Sequence, residues 1–408
     1  MMETPENIIT KKDKAVRLHS LDALRGFDMF WVVSGEFIFH GIASVVKQKH
    51  SLEQSIVDWQ IITNDSLNSI ERFFVGVSNQ LHHSPWNGFT FYDLIFPLFI
   101  FIAGVSMPYS FGQRLEKSGI NLAVARKTIY RSLLKRTLLL VVLGMVVNGA
   151  LQFSGYENTR FASVLGRIAL SCFFAAIIYL NAGVRYRVAW FIALLLGYWA
   201  MMMWAPVPGF GAGVLTPEGN FAAYVDRVLL PGKLHRTVYD PEGLLSTIPA
   251  IGSALLGIFT GQFLRSSSQN LSSSKRTMIL LVSGVVLIIA GWGWGLVFPV
   301  NKTIWTSSFV LYAGGWSVLL FAMFYFVMDV AGYKKWSMPF VWMGMNAILI
   351  YVAAHGLVSF ESTSQFLFGG LISRAPGIWH TALLWAGVAA IQFAGLYYLY
   401  KKRIFLKV

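Results

Sequence analysis

The sequence predicts an all-α polytopic bundle of about ten membrane-spanning helices with both termini cytoplasmic. Three observations carry this expectation. The 408 residues are 55% hydrophobic and 13% charged, against about 25% charged in soluble chains. Apolar runs of the roughly 20 residues needed to cross a bilayer core recur along the whole length. The 33 Lys and Arg fall mostly in short clusters between those runs, which is how membrane proteins fix their orientation. The net charge of +14 would suit nucleic acid if it were gathered on one face, but its distribution points to membrane lipid instead and to no nucleic-acid partner. The single cysteine, Cys172, excludes an intrachain disulfide and a thiolate metal cluster.

The spans are expected at 22–45, 90–112, 134–152, 163–181, 189–205, 244–264, 277–298, 307–330, 339–358 and 379–400. Residues 1–20 read as a polar cytoplasmic tail: Lys11, Lys12, Lys14 and Arg17 lie in it and no small-residue cleavage site follows. Residues 21–400 form one membrane domain, and 401–408 a basic tail. With the amino terminus inside, 22 of the 33 Lys and Arg fall on inner segments and 11 elsewhere. The longer connections, 46–89 and 206–243, then lie outside, the second opening with the loop sequence "APVPGFGAGVLTPEGN". "RSSSQNLSSSKR" is an inner linker. There is no convincing internal repeat. The lack of a cleavable signal and the compact loops suit a multi-pass protein of a bacterial cytoplasmic (inner) membrane.

The chemistry is expected on the outer side. His83 stands just before the second span, and a near-neutral imidazole can move a proton or attack a carbonyl. It can equally be an interfacial histidine bonded to its own loop, and His82 is chemically equivalent. Asp93 lies about one turn into that span. An ionisable group there implies a polar cavity or a basic partner, and Arg160 or Arg167 of "TRFASVLGRIALS" are the natural partners. In "YDPEGLLSTIPAIG", Asp240 reads as a helix N-cap, Pro241 as the first helical residue and Glu242 as an acid in the positive first turn. With Tyr239, the two acids could also hold an amine. Asn301 and Lys302 stand at the outer end of a later hairpin. Asn346 and His355 in the ninth span serve either packing or a site. At the inner face Asp22 and Arg25 are three apart and can pair, with Asp28 one turn deeper. They either anchor the boundary or admit a phosphorylated ligand. No P-loop, GxSxG, HExxH or dinucleotide fingerprint is present, and scattered histidines suggest no metal.

Together these stretches resemble the heparan-α-glucosaminide N-acetyltransferase family, including its bacterial members. The resemblance rests on "SLDALRG", "HSPWNGFTFYDLIFPLFIFIAG", "VLGRIA", "YDPEG", "FPVNKTIWTSSF" and "MGMNAILIYV", in the family's order. It implies a transmembrane enzyme that takes acetyl from cytosolic acetyl-CoA, its co-substrate, and delivers it to the amine of a terminal glucosamine on the far side. The family's active-site histidine falls on His83, three residues before Trp86. By resemblance Asn87, Asp93, Arg167, Asp240, Asn301 and Lys302 line or support the same site. Trp86, Tyr239, Glu242 and Asn346 are read with the substrate site, and Asp22 and Arg25 with CoA. In this reading Asp93 orients the imidazole, Asn87 or an arginine is a candidate oxyanion donor, and the cavity lies between the second, fourth, sixth and ninth spans. A homodimer is a further expectation. The chain departs from the animal enzyme by lacking its amino-terminal extension and first extra span, and by a longer interval before His83, near 46–80. Two other readings fit polar residues buried in spans: a transporter of an amino sugar or related solute, and an acyltransferase with another glycan or lipid acceptor.

Overall fold

In a computed structural model of the chain, residues 18–52, 67–117, 122–266 and 270–406 are described. Most of the amino-terminal tail, residues 53–66 of the first long loop, 118–121, 267–269 of the serine-rich linker, and 407–408 lie outside them. Among the described residues, eight helices are long and apolar enough to cross a membrane, or up to nine if a bent pair is one span. The chain is thus an all-helical polytopic membrane bundle.

The first span is longer than expected. Helix α1 (His19–Phe30) continues through a π-helical turn, Trp31–Gly35, into α2 (Glu36–Lys49). Such π turns recur at functional sites. A short amphipathic helix, α3 (Ser69–Gln80), follows within the first long loop. It begins with a capping box in which Asn68 and Glu71 satisfy each other's backbone N–H groups. Glu71 also accepts a hydrogen bond from Lys49 at 2.6 Å. That bond comes first among the causes that hold its carboxyl down at about 2.

Helix α4 (Phe91–Lys117) is the second span and keeps Pro97 and Pro108 inside it, as membrane helices can. Helix α5 (Leu122–Val147) carries Arg126, Lys127, Arg131, Lys135 and Arg136 in its first half. Its basic first half keeps it outside the eight or nine counted by length and composition, while its second half, 137–147, is apolar as expected of a span there. Helices α6 (Val164–Asn181) and α7 (Val184–Trp204) form a hairpin, and α8 (Phe221–Leu229) lies in the second long loop. Helix α9 (Thr247–Ser266) starts later than expected. Asp240 does not cap it. Residues 241–246 form turns instead, because the Asp240 carboxylate is committed elsewhere. Helices α10 (Ser273–Gly295) and α11 (Ser307–Tyr325) form the next hairpin. The ninth span is broken at Asn346: α12 (Met338–Met345) and α13 (Ala347–Val352) belong to segments bent by 66°. A π turn, Ala353–Leu357, extends α13. A helix that the hydropathy reading missed, α14 (Phe360–Ile372), packs on α15 (His380–Lys401).

One apolar core ties α4, α6, α9 and α11 together, with Phe101, Ala176, Leu255 and Phe309 fully or almost fully buried in it. Helix α4 also lies very close to α9. A methyl group at Gly104, Gly257 or Gly261 would strike the facing backbone, so these glycines set the interhelical spacing. Gly26 and Gly344 do the same for α1 and α12.

Candidate active site at the mouth of an intramembrane cavity

Asp93 sits in the first turn of α4, where the unpaired N–H groups of the helix start favour a carboxylate. Its Oδ2 accepts the N–H groups of Thr90 and Ser84, each at 3.2 Å. Its Oδ1 lies 2.8 Å from Nδ1 of His83. The Thr90 hydroxyl donates to the His82 carbonyl at 2.7 Å, so the 82–90 loop folds back onto the helix end. Asp93 is 1% exposed while the His83 side chain is 49% exposed. A carboxylate can only accept, so Nδ1 carries the proton and Nε2 keeps its lone pair. Nε2 faces Lys302, whose Nζ is 3.0 Å away. His82 stacks instead on His40.

A second loop locks the first in register. Gly88 N–H donates to the Val300 carbonyl at 2.9 Å. The Asn301 side chain is fully buried. Its Oδ1 accepts the Ile304 N–H, so its Nδ2 is left to donate to Asn87 Oδ1, both at 3.1 Å. That donation orients the Asn87 amide with its own NH₂ turned away from Asn301. Trp305, in left-handed backbone conformation at φ 51°, is buried beneath this loop with its Nε1 on Ser253. The Arg167 guanidinium lies 5.1 Å from its ring centre.

The third component is saturated. Arg160 Nε and Nη2 grip Asp240 at 2.8 and 2.6 Å, and Nη2 also reaches Glu242. Asp240 further accepts the His235 and Glu242 N–H groups, both at 2.9 Å. These bonds replace the helix-capping role expected of it. Burial works to raise the Asp240 carboxyl, but Arg160 and the backbone donors hold it below its usual value. Arg160 in turn is pushed above its ordinary range: burial opposes its charge, and the two acids outweigh burial. Burial lowers Lys302, against the pull of Asp93 and Glu242. For His83, burial and the Lys302 ammonium lower the imidazole more than Asp93 raises it.

His83, Tyr92, Glu242 and Lys302 stand around a cavity of about 230 Å³. Deeper, it is lined by the first span through Asp28, Met29 and Val32, by α4 through Phe96 and Phe99, by α6 through Ile168, and by Ile348, Tyr351 and His355 of the broken span. The expected cavity between the second, fourth, sixth and ninth spans needs one correction. The first span takes the place of the sixth, which contributes only its preceding loop. Asp28 is 1% exposed, and neither carboxylate oxygen has a hydrogen-bond partner.

His83, Lys302 and Glu242 therefore stand at one mouth, with Asp93 bonded behind His83, Asn87 held by Asn301 next to Lys302, and Asp240 one bond behind Glu242. Asp93 pairs with His83 and not with either arginine. Arg167 is buried below the loop, with Nη2 bonded to Gly243 and Ser246. Trp86 donates to the Leu215 carbonyl at 2.9 Å and meets Tyr239 edge-on at 5.3 Å, a buttress for the loop outside the cavity lining. Asn346 is elsewhere: its amide clips the carboxy-terminal segment through Ile404 and Leu406 at 3.1 and 3.0 Å. Asp22 and Arg25 pair at 3.5 Å near the start of α1, and neither lines the cavity. Tyr92 and Tyr351 were not singled out from sequence, and Asp28 only for its depth. The available signal was the four-residue spacing of Asp28, Val32 and Glu36 on one helix face. Among the described residues no cluster of three or more His, Cys, Asp or Glu could hold a metal ion.

Fold and site together define a polytopic membrane protein with a histidine–carboxylate pair at the mouth of a cavity between its spans. Residues 61–292 match the sequence profile of the family described as heparan-alpha-glucosaminide N-acetyltransferase, catalytic. The chain belongs to that family. It is 28% identical to the heparan-alpha-glucosaminide N-acetyltransferases of Mus musculus and Homo sapiens, over 80% of its own length. It spans 56% and 55% of theirs, about half the length of each curated relative.

Proposed function

We propose that this chain is a membrane N-acetyltransferase that moves an acetyl group from acetyl-CoA to the amine of a glucosamine-type sugar. The observation that carries the reading is the His83–Asp93 pair at 2.8 Å, within the family-matched segment and open to a cavity. In a direct transfer, the amine nitrogen attacks the thioester carbonyl. The C–N bond forms, the C–S bond breaks, and the amine proton passes to Nε2 of His83 and on to the departing thiolate. Asp93 keeps Nδ1 protonated and stabilises the imidazolium, the part a buried carboxylate plays for a catalytic histidine. The two-step route starts with Nε2 itself attacking the carbonyl, so that His83 carries the acetyl before the amine takes it. Lys302, which lines the cavity, is the candidate donor to the carbonyl oxygen as it gains charge, with the NH₂ of Asn87 as a second. In either route the Lys302 ammonium first withdraws from Nε2. Glu242 faces the incoming amine from the opposite rim. The basic segments lie on the cytoplasmic side of a bacterial inner membrane, and the sugar approaches from outside.

The test is acetyl transfer from radiolabelled acetyl-CoA to glucosamine by purified protein, wild type beside His83→Ala. Transfer by the wild type, with a loss of at least about 10²-fold in the variant and CoA binding retained, supports the reading. A folded wild type that neither binds acetyl-CoA nor acetylates any amine overturns it and favours a solute transporter.

A further inference from the structure

One charge in the catalytic cavity is unaccounted for. Asp28 lines it from the first span, just below the mouth. The residue is 1% exposed, yet its carboxylate has neither a hydrogen-bond nor an ion-pair partner. Taking a carboxylate out of water without a partner is costly, and the fold recovers none of that cost. The other acids of the site differ: Asp93 is held by His83, and Asp240 and Glu242 by Arg160. Lys302 is engaged with His83 at the mouth. An unpaired buried carboxylate that faces an open cavity is completed by a donor from outside the fold.

Its position narrows the chemistry of that donor. Phe27 and Trp31 lie on either side of Asp28 along the helix, and both rings meet Phe91 edge-on, at 6.4 and 5.5 Å. Phe91 opens α4, two residues before Asp93. Asp28 therefore stands close to the level of the His83–Asp93 pair, on another wall of the same cavity. Tyr92, Phe96, Phe99 and Tyr351 line the space with it. A carboxylate among aromatic side chains suits an organic cation, whereas a neutral hydroxyl would leave its charge uncompensated. A primary amine supplies that cation, since it is largely protonated near neutral pH.

We propose that Asp28 is the seat of the acceptor's ammonium group, so that the cavity selects acceptors that enter as cations. The inference rests on the acetyltransferase reading above and adds to it the charge state in which the acceptor binds. Glu242 meets the acceptor at the rim, and Asp28 receives its nitrogen. That nitrogen cannot attack while its lone pair holds a proton. One N–H bond breaks and an O–H bond forms on Asp28. The freed amine then attacks the thioester by the route above, and Asp28 returns its proton to water as the product leaves.

The experiment titrates purified protein with glucosamine and with glucose, which has a hydroxyl in place of the amine, for wild type and Asp28→Asn. It also measures acetyl transfer to glucosamine and to aniline, whose nitrogen is uncharged at neutral pH. Wild type should bind glucosamine more tightly than glucose by about tenfold or more, the worth of one hydrogen bond to a charged group. In the variant that preference should vanish, and KM for glucosamine should rise by a matching factor. KM for aniline and for acetyl-CoA should stay unchanged. The melting temperature should not fall, because the fold loses an unpaired buried charge. A variant that keeps the preference for glucosamine, or a wild type without one, overturns the proposal. So does an equal loss for glucosamine, glucose and aniline, or a lower melting temperature, either of which marks a structural role. In each of these cases transfer by the wild type leaves the acetyltransferase reading standing. A wild type that transfers acetyl to no amine overturns that reading, and the binding ratio still decides the role of Asp28.

Discussion

Two buried aspartates at one end of the bundle, Asp93 and Asp240, each hold a base, with opposite consequences. Asp240 is 3% exposed and Asp93 1%. Asp240 holds Arg160, a permanent cation, through two bonds, and backbone donors occupy what remains. The Arg160–Asp240 pair itself neither accepts nor releases a proton near neutral pH. Asp93 holds His83 through one nitrogen and leaves the other at the cavity mouth. The same carboxylate chemistry makes a brace in one place and a proton-handling pair in the other. The difference lies in the partner's unused valence.

The largest expected effect comes from breaking the proton-handling pair without disturbing its shape. Asp93→Asn presents an amide to Nδ1 and can turn the ring to the wrong tautomer. Acetyl transfer should fall by about 10²–10⁴-fold with the melting temperature little changed. A fall below tenfold would mean that His83 works without Asp93. Breaking the brace should do the reverse. Arg160→Leu leaves two carboxylates facing each other without their cation, and removing one partner of a buried pair typically costs about 3–5 kcal/mol. A loss of thermal stability, with the pH profile of the folded fraction unchanged, is the outcome to measure.

The pH dependence sharpens the contrast. In the proposed transfer His83 acts in its base form, so the rate should rise with pH through its titration and then level. Because burial and Lys302 hold that imidazole below its ordinary value, the acid limb should lie on the low side of a free histidine. Lys302→Met removes one lowering cause, so the limb should move to higher pH. A limb that stays in place would remove Lys302 from contact with the base.

A third acid, Asp226, provides a smaller check on the brace side. Burial raises it from 3.8 to about 7 although the Leu244 N–H bonds to it. The folded state therefore binds its proton more tightly than the unfolded chain. Stability is fullest below about pH 4 and is lost progressively as pH rises through about 7. Asp226→Asn should flatten that part of the stability curve, read as melting temperature against pH. The smallest effect is expected from Asn346→Ala. It releases the 404–406 clip at about 1 kcal/mol per neutral hydrogen bond and should leave KM for both substrates alone.

Sequence legibility followed range along the chain. His83 and Asp93 are ten residues apart, on a loop and the helix it enters, and their pairing could be anticipated as one of two uses for the acid. Arg160 and Asp240 are eighty residues apart, and nothing local announces that contact. "DPEG" reads equally as a helix start and as a turn, and the distant guanidinium decides between them. Hydropathy located most spans, because burial in lipid is a property of composition. It read only the apolar half of α5, which shares its helix with basic residues, and missed α14, which is shorter than a span. Asn346 looked like a site residue because a buried amide in a span is costly. Its cost is met by the backbone of the chain's own far end, which no local pattern signals.

The glycines between α4 and α9 have a mechanical consequence. With Gly104, Gly257 and Gly261 at the contact, the two helices meet backbone to backbone and leave no side-chain layer to shear. Asp93 rides on the rigid member of that pair. The facing wall, Ala347–Leu357, joins α12 at a 66° elbow and ends in a π turn. The cavity is therefore a vice with one fixed jaw and one jointed jaw. Any change of its bore is cheapest on the side of Ile348, Tyr351 and His355, and the proton-handling pair keeps its alignment while the opposite wall adjusts to what lies between them.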